Sequence, residues 1–128
     1  MTRHIIQTDQ APAPVGPYNQ AIVASGEMIF VAGQIPLDVA TGQIEGSDAA
    51  AQTEKAIQNL EAILAAAGVS LASVVKTSVF LSNMDDFGAM NGVYAKYFGD
   101  LDAPARACVE VSRLPKDVLV EIECIAVK

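Results

Sequence analysis

The stretch from Val118 to Val127 is apolar on both of the faces that an extended strand presents. Side chains on a strand alternate between the two faces of its sheet, so this pattern requires cover on both sides. Two apolar sets alternate here: Val120, Ile122, Cys124 and Ala126 with Leu119, Ile125 and Val127. The core of a small domain covers one face. The second face therefore predicts a partner subunit.

A partner subunit would also account for the hydrophobic content, which is 52% of 128 residues. A chain of this length builds one core, so we expect a single domain over residues 1–128. Its apolar stretches are short and interrupted by charges, and none reaches the roughly 20 residues that span a bilayer. The first residues contain no apolar segment typical of a secretory signal. We therefore expect a cytoplasmic oligomer without a membrane partner.

Charge and motif content argue against several classes of function. Eight Lys plus Arg against 15 Asp plus Glu give a formal net charge of −7, which repels phosphate backbones, so no nucleic-acid partner is expected. Cys108, Cys124 and the single His4 fit neither a zinc pattern nor a disulfide framework. The sequence has neither a Gly-rich phosphate loop nor a Gly-x-Ser-x-Gly elbow. It predicts no cofactor and no metal.

Local patterns predict three strands followed by a helix in the first half of the chain. Residues 21–24 and 28–32 are short apolar runs around a Ser-Gly-Glu connection, which predicts a β-hairpin. A further turn is predicted at residues 40–42. Apolar residues then recur at three- and four-residue steps, which predicts a helix with Ser47 as N-cap and Gly68 as its C-terminal stop.

The second half predicts a strand, a helix and two more strands. Residues 74–82 are β-branched and alternating, which is typical of a strand. A second helix is predicted after Asn83, with Gly99 at its end. Residues 106–112 and 118–127 are strands with a short Leu-Pro-Lys-Asp link, which predicts an antiparallel hairpin. The complete order favours an α+β fold, a mixed β-sheet with both helices on one face.

Arg106 is a cation that enters a strand in an apolar neighbourhood. A desolvated guanidinium without an anion is costly, so its charge must be met in some way. Either it is solvated, or it pairs internally with Glu110, Glu121 or Glu123. In a third interpretation it is an open fork that binds a substrate carboxylate through two parallel hydrogen bonds. The residues alone leave these alternatives open.

Four other residues are candidates for the same site. Glu121 and Glu123 share a strand face with apolar neighbours, and shielding from water raises a carboxyl pKa towards the range useful for proton transfer. They are alternatively edge-strand charges that discourage aggregation. Tyr18 lies in a predicted loop and either walls a pocket or belongs to the core. Asn91 lies on the packing face of the second helix, where its amide needs a backbone or ligand partner, so it is a substrate-binding candidate.

Five motifs run nearly from end to end of the chain. They are GPYNQA at 16–21, AGQIP at 32–36, PARACVEV at 104–111, LPKD at 114–117 and VEIE at 120–123. Together they resemble the reactive intermediate deaminase (Rid) family, formerly called the YjgF family. One departure is Ala32, where many relatives have serine, so a hydroxyl that could touch ligand or water is missing.

The resemblance implies a chorismate-mutase-like α+β subunit and a homotrimer with a central β-barrel and active sites between subunits. It implies hydrolysis of 2-imino acids such as 2-iminobutanoate and 2-iminopropanoate, with the enamine 2-aminoacrylate, to 2-oxo acids and ammonia. Pyridoxal-phosphate dehydratases acting on threonine and serine release these imines. The activity would protect pyridoxal-phosphate enzymes from them.

The resemblance also implies roles for individual residues. Arg106 would bind the substrate carboxylate, Glu121 would place and activate water, and Tyr18 would line the pocket. The backbone near Gly33 and Cys108 would line the same cleft. A protonated imine is already electrophilic, so positioning and modest acid–base help should suffice.

Three other functions compete with imine hydrolysis. The same fork could belong to a non-catalytic regulatory module that binds 2-oxo acids. Nuclease or translation-inhibitor activity has been attached to parts of the family, but the net charge and the single histidine argue against RNA chemistry. A chaperone-like role would rest only on hydrophobic content, which burial in a trimer also explains.

Overall fold

The computed structural model describes residues 2–99 and 102–128, which form six strands and two α-helices. The strands are β1 (Thr2–Ile6), β2 (Ala21–Ser25), β3 (Met28–Gln34), β4 (Val74–Leu81), β5 (Ala105–Glu110) and β6 (Val120–Val127). The helices are α1 (Ala49–Ala66) and α2 (Phe87–Phe98), and short 3₁₀ turns lie at Leu71–Ser73, Met84–Asp86 and Pro115–Asp117. The α+β class is confirmed and the number and order of elements agree with the prediction, but β1 lies at residues where the sequence predicted no strand.

The strands form two sheets. β1 and β2 make a small antiparallel sheet, and the larger sheet has the order β3-β6-β4-β5. β4 and β5 are parallel, because α2 lies between them and returns the chain to the same end of the sheet. The other neighbours in the larger sheet are antiparallel. That sheet is therefore mixed, as the sequence predicts.

The predicted hairpin between residues 21–24 and 28–32 is wrong. Both runs are strands, but β2 pairs with β1 and β3 pairs with β6. The Ser-Gly-Glu connection does not close a turn, because Glu27 exchanges two backbone hydrogen bonds with Lys128, of 3.1 and 2.8 Å. The connection instead passes the chain from the small sheet to the large one.

The predicted hairpin between the last two strands is also wrong. β6 lies between β3 and β4, while β5 pairs with β4 alone. The link between them passes over the end of β4, where the Val111 N–H donates to the Leu81 carbonyl at 2.9 Å and the Ser82 N–H to the Leu119 carbonyl at 3.1 Å. β6 occupies this central position with its helix-facing side chains buried, namely Val120, Ile122, Cys124 and Ala126, while Glu121 and Glu123 lie on its other face.

Both helices begin and end near their predicted positions. The N-cap of α1 is Asp48, not Ser47, and its carboxylate accepts from the Ala51 N–H at 2.8 Å. Gly68 follows the helix with φ 82°, a left-handed conformation that favours glycine. The turn after Asn83 is 3₁₀, so α2 proper begins at Phe87. Neither helix of the described chain combines the length and apolar content needed to cross a bilayer.

The core lies between the two helices and one face of the larger sheet. Its fully buried side chains include Ile57, Leu60 and Leu64 of α1, Met90, Tyr94 and Phe98 of α2, and Val79, Leu81 and Ile122 of the sheet. Within it the Thr77 hydroxyl and the Tyr94 hydroxyl are hydrogen-bonded at 2.8 Å. Burial raises the pKa of Tyr94 to about 12, so this phenol stays neutral at physiological pH.

The opposite face of the larger sheet carries apolar side chains that one chain leaves uncovered. Phe30 and Met28 on β3 are 71% and 55% exposed, and Val109 on β5 is 45% exposed. Large apolar side chains exposed on one sheet face are typical of a protein interaction surface, although Glu121 and Glu123 of β6 share this face. It is consistent with the predicted partner subunit, while the number of copies stays a prediction.

Candidate active site

Arg106 lies on β5 beside Thr77 of β4 and shares the helix-facing side of the sheet with it. Three aromatic rings surround its guanidinium. The carbon Cζ lies 4.8 Å from the ring centre of Tyr94, 5.2 Å from that of Tyr18 and 5.7 Å from that of Phe87. Rings at these distances stabilise a cation through their π-faces, but they do not act as hydrogen-bond acceptors for its N–H groups in the way that a carboxylate would.

The protein partner of the Arg106 guanidinium is an amide. Arg106 Nη1 donates to Asn91 Oδ1 at 2.6 Å. Within residues 2–99 and 102–128, no carboxylate forms a salt bridge with Arg106. Glu110, one of the internal partners considered from the sequence, accepts the Met84 backbone N–H at 2.8 Å instead. Neutral groups therefore hold this cation within one chain.

Tyr18 reaches Arg106 because its loop is tied to the segment that leads into β5. The Asn19 side chain and backbone donate to the two carbonyls that precede β5, at 2.8 and 3.3 Å. The Tyr18 hydroxyl accepts the Val15 backbone N–H at 3.2 Å. These bonds fix the position of the ring relative to the guanidinium.

A cavity of about 200 Å³ opens beside the guanidinium. It is lined by Val15, Tyr18, Phe87, Arg106 and Cys108. Burial raises the pKa of the Cys108 thiol, and the nearby Arg106 charge offsets only part of that effect. The thiol is therefore protonated at neutral pH, which argues against a thiolate nucleophile. One cation among apolar and aromatic walls suits a small carboxylate ligand.

Gly33 and Glu121 lie together, but away from Arg106. The half-buried Glu121 packs its carboxylate over Gly33, where any β-carbon would overlap it. Its register partner on β4 is Phe80, which faces away from the helices, whereas Thr77 and Arg106 face them. β5 and β6 are separated by β4, so their backbones lie roughly 10 Å apart. One chain does not bring Glu121 to the guanidinium.

A larger cavity of about 290 Å³ borders Gly33. Its walls are Gly33, Gln34, Ile35, Leu37, Val39, Asn59, Ala62 and Ile63. Asn59 of α1 donates to the carbonyls of Ile35 and Leu37, both at 3.0 Å, and so holds the wall against the helix. The lining contains no charged residue, so this cavity offers no fixed cation to a carboxylate.

The structure divides the predicted site residues between two places. Tyr18, Arg106 and Cys108 line one cavity, and Asn91 is hydrogen-bonded to Arg106 beside it, whereas Gly33 and Glu121 form a second cluster. Glu123, the other acidic candidate, is exposed. Phe87 was missed as a site residue, although it precedes Asn91 by four positions, and helical spacing places such a pair on one face. In the described residues, no three His, Cys, Asp or Glu side chains gather as metal ligands do.

A model of the protein family described as Endoribonuclease L-PSP matches residues 8–128. The chain belongs to this family, the YjgF/Rid family. The resemblance carried by the five motifs is thereby confirmed.

Individual relatives cover almost the whole chain. A RutC family protein of Synechocystis is 58% identical over 128 residues, covering 99% of this chain and 98% of that protein. The 2-iminobutanoate/2-iminopropanoate deaminase of Escherichia coli is 47% identical, with 96% of each chain covered. The crystal structure of E. coli TdcF with bound serine has 44% identity and a TM-score of 0.75, and 98% of each chain is covered.

Proposed function

We propose that this protein hydrolyses small 2-imino acids, such as 2-iminobutanoate and 2-iminopropanoate, to 2-oxo acids and ammonia. The observation that carries the proposal is the Arg106 guanidinium, which faces a cavity of about 200 Å³ and is held by an amide and three rings. A cation that pairs with no carboxylate among the described residues is ready to bind a carboxylate ligand through its planar fork. The name of the E. coli relative supports the same reaction.

In the proposed mechanism Arg106 fixes the substrate carboxylate, and so orients the adjacent imine carbon. Water adds to that carbon, a proton moves to the nitrogen, the C–N bond breaks, and ammonia leaves as the C=O bond forms. Glu121 would hold the water, together with the main-chain carbonyl near Cys108, and shuttle the protons. Positioning does most of the work because a protonated imine is already electrophilic.

The proposed active site needs two copies of the chain. Arg106 lies on the edge strand β5, whereas Glu121 packs on Gly33 of the opposite edge strand β3. A closed ring of copies that joins β5 of one to β3 of the next would bring the two clusters together. Following the resemblance to the Rid family, we propose that this ring is a homotrimer in which neighbouring sheets close a barrel and bury the exposed apolar side chains of the larger sheet.

A binding module without turnover is the second candidate. The observation behind it is that E. coli TdcF holds serine, an amino acid and not an imine. The Arg106 cavity would bind a 2-oxo acid with the same fork and report it to a protein partner. Saturable binding of 2-oxobutanoate without any imine turnover would favour this candidate.

RNA cleavage fits the chain poorly, although the family description names an endoribonuclease. The formal net charge is −7, so an RNA backbone is repelled. The one histidine of the sequence, His4, is exposed on β1, so the chain has no histidine pair for acid–base cleavage of a phosphodiester.

Trapping of the imine by semicarbazide tests the deaminase proposal. A threonine dehydratase generates 2-iminobutanoate in place, and the wild-type protein should suppress formation of the semicarbazone. The Arg106→Ala variant should lose this effect. Arg113→Ala is the matched control, because Arg113 forms an exposed ion pair with Asp117. If wild type leaves trapping unchanged, the deaminase proposal is wrong.

Replacing Gly33 by alanine should displace the Glu121 carboxylate and leave the fold intact. The new β-carbon overlaps the carboxylate, which ends a flexible side chain and can swing aside. We expect imine turnover to fall by about tenfold or more, with little change in the thermal midpoint. Gly88→Ala is the control, since a β-carbon there meets nothing within 4 Å. Wild-type turnover in Gly33→Ala would argue against a role for Glu121.

A further inference from the structure

We propose that Asn91 is a positioning residue, which fixes the Arg106 guanidinium with a neutral acceptor and so leaves its charge free for an anion. The inference rests on the proposed function for the class of that anion, a 2-oxo or 2-imino carboxylate. The bond from Arg106 Nη1 to Asn91 Oδ1, at 2.6 Å, joins β5 to α2. Both side chains are half-buried, so this bond is shielded from solvent competition.

The loop backbone restrains the same two groups from another side. A β-carbon at Gly16 would stand 3.0 Å from Arg106 Nη2 and 3.4 Å from Asn91 Nδ2, so the chain at Gly16 packs close to both. The rings of Tyr18 and Tyr94 flank the guanidinium as well. None of these contacts brings a negative charge. The arginine is therefore oriented without being neutralised.

Charge explains why an amide suits this position better than a carboxylate. Aspartate has nearly the size and shape of asparagine, but its charge-assisted hydrogen bonds to a guanidinium are about twice as strong as neutral ones. At position 91 it would pair with Arg106, and a substrate carboxylate would have to displace it. Alanine at position 91 would instead leave the Arg106 charge unpaired and remove the oxygen that accepts its hydrogen bond. The aspartate variant therefore tests the charge of the guanidinium, and the alanine variant tests its orientation.

Calorimetry with 2-oxobutanoate as the probe, run beside thermal unfolding, tests the inference. In Asn91→Asp we expect the Kd to rise by at least about tenfold, with a thermal midpoint equal to or above wild type because an ion pair has been added. In Asn91→Ala we expect a several-fold rise in Kd and a lower midpoint. If the role of Asn91 were purely structural, both variants would bind 2-oxobutanoate more weakly and would also have a lower thermal midpoint.

The pH dependence of the Asn91→Asp defect adds a second readout. A guanidinium at hydrogen-bond distance lowers the pKa of a carboxyl. The aspartate introduced at position 91 would therefore stay ionised until the pH falls below the ordinary pKa of an aspartate side chain. We therefore expect the loss of 2-oxobutanoate binding to persist between about pH 5 and pH 9. Recovery of wild-type binding within that range would contradict a carboxylate paired with Arg106.

Gln43→Glu is the matched control, because it makes the same amide-to-carboxylate change on an exposed loop. Its Kd for 2-oxobutanoate should equal that of wild type. A wild-type Kd in Asn91→Asp or Asn91→Ala overturns the inference, and so does a wild-type protein that binds no 2-oxobutanoate. A wild type that binds it but leaves semicarbazide trapping unchanged refutes the deaminase proposal and keeps the role of Asn91.

Discussion

Replacing Arg106 by lysine should lower kcat/KM for 2-iminobutanoate by at least about 100-fold, although the positive charge is kept. Lysine ends in a compact ammonium without the planar fork that binds a carboxylate at two points. Lysine would also lose the geometry of the present hydrogen bond, in which Arg106 Nη1 donates to Asn91 Oδ1 at 2.6 Å while the rest of the fork stays available. The substrate would be bound in many orientations, and few of them would present the imine carbon to water. Steady-state kinetics coupled to a dehydratase measure the loss.

The fold should tolerate this change. The stem of lysine can occupy the space between the Tyr18, Phe87 and Tyr94 rings, and an ammonium still interacts with their faces. We therefore expect an unchanged oligomeric state in light scattering and a thermal midpoint within a few degrees of wild type. Arg113→Lys, an arginine-to-lysine change in an exposed ion pair, should leave the kinetics unchanged. Wild-type kinetics in Arg106→Lys would remove the fork from the mechanism.

The secondary structure could be predicted because it depends on local patterns. The three- and four-residue apolar spacing located α1, and the β-branched run located β4, each within a few residues of its observed ends. Strand partners depend on contacts distant in sequence. The sequence predicted hairpins for β2 with β3 and for β5 with β6, because short links usually join paired strands. Here the crossover through α2 and the central position of β6 decide the pairing instead.

The site residues could likewise be identified from local sequence, but their positions relative to one another depend on contacts distant in sequence. Tyr18, Asn91 and Arg106 were identified from the motifs and their residue chemistry, and the structure brings Tyr18 and Asn91 into contact with the Arg106 guanidinium. Glu121 was assigned to the same cleft, yet it lies on the other face of the sheet and packs on Gly33. Which face and which edge a strand residue occupies depends on the strand order, which local pattern does not determine. The proposed function therefore requires a second copy to unite Glu121 with Arg106.

That requirement leads to the second large effect, recovery of activity from two inactive proteins. Arg106→Ala and Glu121→Ala should each lose about 100-fold or more of imine turnover, since they lack the carboxylate anchor and the proton shuttle. When equal amounts are unfolded together and refolded, a site between copies receives an intact Arg106 in half of cases and an intact Glu121 in half. About a quarter of wild-type activity should return, whatever the number of copies in a closed ring.

Dilution of wild type provides the complementary measurement. The double variant Arg106→Ala/Glu121→Ala, refolded with an equal amount of wild type, should leave about a quarter of the activity of the same total amount of wild-type protein, because half of the intact arginines meet a defective neighbour. A site contained within one chain predicts about half in this dilution and no recovery in the first mixture. Mixed oligomers, verified by differential tags, with those two results would show that each active site lies within one chain and would overturn the proposed site between copies. A quarter in both experiments requires one site shared by neighbouring copies, because only that arrangement lets two different defects be separated on reassembly.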